Sequence, residues 1–277
     1  MKQILKPLAA FLAVLTLAAC GPKETTLLIV HTSDTHSAVV PDTKTGMGGY
    51  ERRAVLIDSL RRNVDKDLLL FDCGDYSQGS LFYTLFKGET EVRLMNGMGY
   101  DAATIGNHEF DNGEENMQRL FTLAQFPTLC CNYGMTGTPL EECVKPYTVL
   151  ERKGLRIGVF GLGAPMAGLV LEKNYEGMTM LNTIAESQKV IDTLRGKERC
   201  DVVVCLSHLG WQVPDEKIDD VRLIAGTQGI DLVLGGHSHS NFDEPQFYAN
   251  AVGDSIPLMH VGGKGEYVGC LELTVKR

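Results

Sequence analysis

Short apolar runs alternate along this chain with longer segments that have apolar residues at helical spacing. Runs rich in Val, Ile and Leu predict β-strands at residues 26–32, 68–71, 102–105, 156–160, 202–206, 230–234, 257–261 and 270–275. Helical spacing predicts α-helices at residues 50–63, 89–98, 114–125, 183–194 and 215–225. Strands and helices that alternate without an evident linker predict a layered α/β domain, here over residues 27–277.

The first residues follow a different pattern. Lys2 and Lys6 precede an apolar run at residues 8–19, which is short for a membrane span and suits the core of a signal peptide. The run ends in a sequence that looks like a bacterial lipobox, Leu17-Ala18-Ala19-Cys20-Gly21. In signals of that kind, cleavage leaves the cysteine at the N-terminus carrying lipid.

We therefore expect a lipoprotein signal peptide at residues 1–19 and a lipid-anchored tether at residues 20–26. The protein is expected to be exported and held at the bacterial cell envelope, on its periplasmic or its outer face. A plain secretory signal with an incidental cysteine is the alternative interpretation.

Composition describes an ordinary globular protein, with 277 residues of which 44% are hydrophobic and 22% charged. Loss of Lys2 and Lys6 with the signal peptide would change the net charge from −9 to −11. That charge argues against nucleic acid as a partner and against binding to an anionic membrane except through the lipid anchor. A small phosphate ester is still permitted, because the charge of a bound metal dominates its immediate surroundings.

The number and spacing of the cysteines give weaker evidence about the structure. With one of the eight cysteines assigned to lipid, an odd number remains, so not all can pair within the chain. A disulfide between Cys143 and either Cys130 or Cys131 is a candidate. None of the spacings is that of a zinc finger.

Five short polar motifs each follow a predicted strand, and they hold five of the seven histidines. The motifs are Asp34-Thr35-His36, Gly74-Asp75, Gly106-Asn107-His108-Glu109, Ser207-His208 and Gly236-His237-Ser238-His239. Alone, each residue could be a turn, a helix cap or a structural histidine. Because α/β folds place their chemistry at the ends of strands, five such motifs in order predict one shared site.

The residue types and spacings suit two divalent metal ions. Asp34 and His36, two positions apart at a strand end, are expected to point to the same side. His237 and His239 would lie ~6.6 Å apart along an extended backbone, which suits one ligand for each of two ions ~3.5–4 Å apart. With Asp75 shared between the ions, the predicted ligands are Asp34, His36, Asp75, Asn107, His208, His237 and His239. Mn²⁺, Zn²⁺, Fe and Co²⁺ all suit this set of oxygen and nitrogen atoms.

His108 is predicted to have a catalytic role. Its side chain should diverge from that of Asn107 and face a substrate, with Asp111 orienting the ring and favouring its protonated form. An imidazolium there would stabilise a transferring phosphoryl group or protonate the leaving oxygen. Helix capping is the alternative role for Asp111. Arg52 and Arg53 are interpreted as a solvated helix face, and help in binding phosphate is the alternative.

Longer stretches of the sequence resemble the calcineurin-like metallophosphoesterases, and more narrowly their 5′-nucleotidase branch, from about residue 27 to the end. The resemblance is carried by Gly74-Asp75-Tyr76-Ser77-Gln78-Gly79-Ser80, Lys87-Gly88-Glu89, Met95-Asn96, Gly99-Tyr100-Asp101-Ala102-Ala103-Thr104 and Gly106-Asn107-His108-Glu109-Phe110-Asp111. It implies the metallophosphatase fold, a four-layer αββα sandwich of two mixed sheets flanked by helices.

The resemblance also implies a division of the ligands and an activity. One ion would take Asp34, His36, Asp75 and His239, and the other would take Asp75, Asn107, His208 and His237. His108 and Asp111 would match the catalytic dyad of the family. The implied activity is 5′-nucleotidase-type hydrolysis of phosphate monoesters of extracytoplasmic nucleotides through a metal-activated hydroxide.

One departure from the family leaves alternatives open. Members that act on nucleotides commonly carry a second, C-terminal domain that stacks the base, and this sequence has no counterpart of it. We expect either a separate chain that supplies this domain or a wider range of phosphoester substrates. The alternatives are a phosphodiesterase for 2′,3′-cyclic nucleotides or nucleotide sugars, and a catalytically silent lipoprotein that binds metal or a partner protein.

Overall fold

The computed structural model describes residues 24–63, 68–214 and 217–276. The predicted signal peptide and residues 20–23 of the predicted tether lie outside these ranges. The strands are β1 (Glu24–Thr32), β2 (Leu68–Asp72), β3 (Ala102–Thr104), β4 (Thr128–Leu129), β5 (Tyr133–Gly134), β6 (Val144–Lys145), β7 (Tyr147–Arg152), β8 (Leu155–Leu162), β9 (Thr179–Met180), β10 (Val202–Ser207), β11 (Leu232–Gly235), β12 (Gln246–Ala249), β13 (Ser255–His260) and β14 (Gly269–Lys276). The helices are α1 (Tyr50–Asn63), α2 (Leu81–Phe86), α3 (Glu89–Met98), α4 (Gly113–Leu123), α5 (Thr183–Asp192) and α6 (Asp220–Gly226).

Two six-stranded mixed sheets form the centre of the fold. The first has the strand order β14-β1-β2-β3-β4-β6, and the second has the order β12-β13-β11-β10-β8-β7. In the first sheet β14 runs antiparallel to its neighbour, while β12 and β7 are antiparallel at the two edges of the second. The inner strands of both sheets are parallel, and their carboxyl ends share an edge.

Alternation along β1 explains how the layers are built. Leu27 and Ile29 pack between the two sheets with apolar residues of β2, β8, β10 and β11. Leu28 and Val30 point the other way and pack with residues of α1, α3 and α4. The outer face of the second sheet is covered by α5 and α6. Because successive side chains of a strand face opposite sides, each inner strand serves two cores, and the predicted four-layer αββα sandwich is confirmed.

Several boundaries differ from those predicted. β1 begins at Glu24 and pairs with β14 there, so residues 24–26 belong to the sheet and not to the predicted tether. The helix predicted at residues 215–225 starts only at Asp220, because the Asp219 side chain accepts a hydrogen bond from the Arg222 N–H and caps it. Residues 215–216 lie outside the described ranges. The edge strands β7 and β12 were not predicted, since their half-buried or exposed residues lack the apolar run of an inner strand.

The seven cysteines that the structure describes are all free, so the candidate disulfide of Cys143 with Cys130 or Cys131 is not formed. Within the described ranges, no helix has the length and hydrophobicity required to cross a bilayer.

Candidate metal centre

The polar motifs all lie just beyond the carboxyl ends of inner strands, after β1, β2 and β3 in one sheet and after β10 and β11 in the other. Six of the seven predicted ligands have side-chain atoms in two small clusters: Asp34, His36, Asp75, His208, His237 and His239. Asn107 adjoins them through its neighbours, because Gly106 lies against Asp75 and the His108 N–H donates to Asp75 Oδ1 over 2.8 Å. The sequence motifs therefore meet at one place.

Asp34, His36 and His239 form the first cluster, in which one ligand atom of each residue lies within 4.8 Å of the others. The Nε2 atoms of His36 and His239 are 2.8 Å apart, and His239 Nε2 is 3.6 Å from Asp34 Oδ1. Ligand atoms that share one ion at about 2.0–2.2 Å lie about 3–4 Å from each other. The cluster therefore has the spacing of a single ion site.

Asp75, His208 and His237 form the second cluster, again within 4.8 Å. His208 Nε2 lies 3.2 Å from Asp75 Oδ2, and the same carboxylate oxygen is 3.9 Å from Nε2 of His36 in the first cluster. Asp75 thus stands between the two clusters. This position is the one required of a carboxylate that bridges two ions.

Left-handed backbone conformations direct most of these side chains towards the centre. Five of the residues have a positive φ angle, with values of 49° for Asp34, 42° for His36, 54° for Asp75, 70° for His237 and 51° for His239. The prediction that paired ligands converge through the alternation of an extended strand is therefore wrong. β1 ends at Thr32 and β11 at Gly235, and turns in the following loops bring the side chains together. Such conformations cost about 1–3 kcal/mol each and concentrate at functional sites.

Three motif glycines leave the space that the ligands occupy. A Cβ on Gly106 would lie 2.1 Å from Asp75 Oδ1, and one on Gly74 would lie 2.9 Å from His208 Nδ1. A Cβ on Gly236 would lie 3.0 Å from Asp34 Oδ2. Sequence reasoning placed these glycines in the motifs without recognising this role, which depends on contacts between distant segments.

Glu109 fixes the loop that carries Asp75. Its buried carboxylate accepts hydrogen bonds from the backbone N–H groups of Asp75 (2.9 Å), Gly106 (2.7 Å) and Ser77 (3.1 Å). Burial, together with the nearby carboxylate of Asp75, raises the pKa of Glu109 to about 7. Glu109 therefore holds the backbone of the loop that carries Asp75, and it does not itself belong to either cluster.

Several buried atoms at the centre have no hydrogen-bond partner among the residues that the structure describes, namely Asp34 Oδ2, Asn107 Oδ1 and His208 Nε2. An unsatisfied buried polar group costs about 1–3 kcal/mol, so each of these atoms calls for another explanation. His208 Nδ1 is 2.6 Å from the Cys73 carbonyl and donates to it, which leaves Nε2 to face the centre. Carboxylate, amide oxygen and imidazole together suit divalent ions such as Mn²⁺, Zn²⁺, Fe²⁺ and Co²⁺. The residues present fit two such ions.

Burial and mutual charge set the protonation of the centre. Burial alone would lower the pKa of His208, but the carboxylates of Asp75 and Asp34 raise it to about 10. Burial raises the pKa of Asp34 to about 7, and it lowers the pKa values of His36 and His237 to about 4. Most of the imidazoles are therefore neutral near pH 7 and able to bind a cation, which at His208 would displace the proton.

His108 forms a third group with His36 and Asp75, in which one ligand atom of each residue lies within 4.8 Å of the others. Its Nδ1 donates a hydrogen bond of 3.0 Å to Asp111 Oδ2, as the predicted pairing requires. That hydrogen bond, with a contribution from Asp75, raises the pKa of His108 above its ordinary value. The N-cap position of α4 is Asn112, and Asp111 precedes it. The geometry favours an orienting role for Asp111 over the capping alternative.

A cavity of about 430 Å³ opens next to the first cluster. His36, His108 and His239 line it together with Gln78 and Lys264. The Lys264 backbone N–H donates to the Asp34 carbonyl over 2.6 Å, which fixes this cationic residue at the rim. Sequence reasoning missed Gln78 and Lys264, because neither lies at a strand end with a recognisable ligand type.

The two adjacent arginines behave differently from each other. Arg52 is exposed and donates to the Gly46 carbonyl, as a solvated helix face requires. Arg53 is only 2% exposed, and its guanidinium carbon lies 4.4 Å from the centre of the Tyr50 ring. The interpretation of Arg53 as solvated is wrong, because the first turn of α1 directs it inward against Tyr50.

Several known proteins are similar in sequence to this chain. The sequence model of the calcineurin-like phosphoesterases matches residues 27–241. The snake venom 5′-nucleotidase of Gloydius brevicauda is 30% identical over 288 residues, which covers 95% of this chain and 47% of that protein. The trifunctional nucleotide phosphoesterase YfkN of Bacillus subtilis is 26% identical over 256 residues, or 81% of this chain and 16% of that protein. The chain spans about half the length of the curated 5′-nucleotidases that it matches.

Solved structures agree with the sequence relatives. A 5′-nucleotidase precursor from Thermus thermophilus superposes with a TM-score of 0.79 at 28% identity, covering 90% of this chain and 51% of that one. The phosphoesterase YfkN of Bacillus subtilis gives a TM-score of 0.77 at 26% identity, covering 92% and 86% of the two chains. On its fold, its clustered carboxylates and imidazoles and the match over most of its length, the chain belongs to the calcineurin-like phosphoesterases, a family of metal-dependent phosphoester hydrolases.

Proposed function

We propose that this chain is a two-metal phosphomonoesterase of the 5′-nucleotidase type, which acts on nucleotides outside the cytoplasm. The observation that carries the proposal is the position of Asp75, one of whose oxygens lies 3.2 Å from His208 Nε2 and 3.9 Å from His36 Nε2. A carboxylate so placed would be shared between two ions, each held by oxygen and nitrogen ligands. The similarity to 5′-nucleotidases along nearly the whole chain supports the same activity.

Two sets of ligands follow from the clusters. Asp34, His36, Asp75 and His239 would hold one ion, and Asp75, Asn107, His208 and His237 would hold the other. When bound, a pair of divalent ions activates water for attack near neutral pH and neutralises charge on the phosphoryl oxygens.

The residues of the chain supply the remaining steps. His108, held by Asp111, lines the cavity beside the first cluster, and its raised pKa favours the imidazolium form. It stabilises the transferring phosphoryl group or gives a proton to the leaving oxygen. Lys264 at the same rim adds a second positive charge for an anionic ester. No side chain forms a bond to phosphorus in this scheme.

The activity is tested with the soluble chain, residues 21–277, assayed for phosphate release with Mn²⁺ or Zn²⁺. The substrates are AMP, UMP, a 2′,3′-cyclic nucleotide, a nucleotide sugar and p-nitrophenyl phosphate, and His108→Asn serves as the control. We expect metal-dependent release from the nucleoside monophosphates that the control lacks. Activity confined to the aryl ester would contradict the nucleotide preference, and no metal-dependent activity at all would favour a silent metal- or partner-binding lipoprotein.

Export and lipid anchoring are part of the same proposal, and they rest on the sequence of residues 1–20. We expect labelled palmitate to enter the protein in its host and to be lost in Cys20→Ser.

A further inference from the structure

A buried carboxylate at the start of α6 lies next to the strands that lead into the second cluster. Asp220 is fully buried, and its side-chain partners Ser207 and His260 are 0% and 1% exposed. One oxygen of the carboxylate accepts a hydrogen bond from the Ser207 hydroxyl, and the other accepts one of 2.8 Å from His260 Nε2. Taking a carboxylate out of water is costly, so it requires such partners. These three residues are called the Asp220 network.

The hydrogen bonds of Asp220 hold the backbone on both sides of His208. Ser207, whose hydroxyl donates to Asp220, ends β10 and directly precedes this ligand. The same hydroxyl accepts a hydrogen bond of 3.2 Å from the Leu209 N–H. The Asp220 backbone N–H donates in turn to the Gly210 carbonyl over 2.9 Å. The ligand therefore lies in a short loop whose two ends are both tied to one residue of α6.

The carboxylate and the imidazole of the Asp220 network also support the strand that leads to His237. Gly235 ends β11, two positions before this ligand. A Cβ on Gly235 would lie 2.1 Å from His260 Nε2 and 2.6 Å from Asp220 Oδ2. The pair therefore packs directly against the Gly235 backbone, and only a glycine leaves room for it. A shift of the pair would be transmitted to both β10 and β11.

The Asp220 network contacts the loops of one cluster only. His208 and His237, whose loops it supports, belong to the second cluster and not to the first. Within the described ranges, no hydrogen bond joins its side chains to the side chains of the first cluster. Neither Asp220 nor His260 belongs to any of the groups of converging ligand atoms found in those ranges. We therefore expect the network to act on the two ion sites unequally.

We propose that Asp220 is a positioning residue for the second ion, because through Ser207 and His260 it fixes the loops of His208 and His237. The inference rests on the proposed binding of two ions, and it adds a residue outside both clusters that controls one of them. Ligands that are already held in place lose less conformational freedom when an ion binds. The network therefore raises the affinity of the second ion without touching it.

The test measures the affinity for Zn²⁺ alone, so that it does not depend on a substrate. The soluble chain is dialysed against chelator buffers of graded free Zn²⁺, and the metal per chain is read by plasma mass spectrometry. The wild type should bind two ions. In Asp220→Ala one ion should bind about 10–100-fold more weakly, the usual cost of losing a residue that supports a ligand. The other ion should bind as in the wild type.

His208→Ala shows which ion is affected, because it removes a ligand of the second cluster alone. In that background the remaining ion belongs to the first cluster, and adding Asp220→Ala should not weaken it further. A further loss of affinity in the double variant would show that Asp220 acts on the protein as a whole, and it would overturn the inference.

Two more variants keep the test decisive if Asp220→Ala folds poorly. Ser207→Ala removes a single hydroxyl and should weaken the same ion by a smaller factor. Asp219→Ala is the matched control, because Asp219 is 3% exposed and caps α6 at the Arg222 N–H, whereas no described hydrogen bond joins its side chain to β10 or β11. It should lower stability and leave both affinities unchanged.

The outcomes separate the inference from the proposed function. Wild-type affinities in Asp220→Ala and Ser207→Ala, or an equal loss in Asp219→Ala, would overturn the inference and leave the proposed two-ion centre standing. A wild-type protein that binds fewer than two ions would contradict the proposed function itself.

Discussion

The apolar core between the two sheets and the metal centre at the strand ends are built on the same strands. They differ in the kind of atom that they bury. Between the sheets, apolar side chains surround one another and are fully buried, among them Leu69, Phe71, Val204 and Leu234. A few residues further along these strands, buried oxygen and nitrogen atoms lack hydrogen-bond partners within the described part of the chain, and the backbone turns into the left-handed region.

The contrast shows how the fold separates stability from chemistry. Burial of apolar side chains between the sheets supplies free energy that stabilises the folded state. The unsatisfied atoms and strained turns at the centre cost free energy. They persist only because the packed sandwich around them holds them in place. We therefore expect changes at the centre to alter metal content and rate, and changes between the sheets to alter stability.

The largest effect is expected for His108→Asn, which removes the proposed acid without removing a proposed ligand. The rate should fall about 10²–10⁴-fold, the usual contribution of a positioned acid or base. Metal content, measured by plasma mass spectrometry, should stay at the wild-type value. Loss of metal in this variant would place His108 among the ligands and contradict the assignment.

His208→Ala tests whether loss of a proposed ligand lowers the metal occupancy as well as the rate. Metal affinity or activity commonly falls about 10–100-fold when a residue that supports a ligand is removed. The fall should be larger when the ligand itself is removed. We expect the metal content per chain to fall by one ion, because His208 belongs to only one cluster. Two ions retained per chain would show that His208 is structural, as its hydrogen bond to the Cys73 carbonyl would then suggest.

Leu69→Ala tests the other side of the comparison. Leu69 is fully buried between the sheets, so the free energy of unfolding should fall by about 2–5 kcal/mol in urea titrations. Leu81→Ala, at a residue that is 78% exposed, is the matched control and should change stability little. The rate per folded molecule should be unchanged in both variants, and a rate loss in Leu69→Ala would break the separation between core and centre.

The smallest effect concerns His31, a polar residue on the inner face of β1. Neither of its ring nitrogens has a hydrogen-bond partner among the described residues, and burial, with a contribution from His260, lowers its pKa to about 3. Between pH 6.5 and about 3 the unfolded chain binds a proton at His31 that the folded chain does not. Stability should therefore fall with decreasing pH in this window, by up to about 1.4 kcal/mol per pH unit.

His31→Gln, which cannot titrate, is the variant that isolates this effect. Its free energy of unfolding should depend less steeply on pH than that of the wild type between about pH 6.5 and 4. Parallel pH profiles for the two proteins would show that His31 is protonated, or paired, in the folded state.

Much of this fold could be predicted from the sequence, because the inner strands bury both faces and read as apolar runs. Helices α1 and α3 have the predicted bounds, since they begin after Gly49 and Gly88 and carry apolar residues at helical spacing. Edge strands such as β12 were missed, because their exposed residues follow no pattern that distinguishes them from loops.

The centre was predictable in its residue types but not in its geometry. Carboxylates and imidazoles after strands are visible in the sequence, whereas the left-handed turns that aim them are not. The role of Gly106 and the Cys73 carbonyl depends on contacts between segments far apart in the chain. The inward direction of Arg53 is likewise set by packing against Tyr50, which no local pattern records.

The pairing of β1 with β14 sets the order in which this protein can assemble. His31 lies opposite Gly269 and Glu24 lies opposite Lys276, so the strand that leads into Asp34 acquires its outer neighbour from almost the other end of the described chain. During synthesis, β1 therefore presents an open edge until residues 269–276 have emerged. Pairings between residues so far apart in sequence form slowly, and an apolar edge left open in the meantime is a template for wrong partners. We therefore expect the pairing of β14 with β1 to be a late step of folding, and it completes the sheet that carries the loop of Asp34.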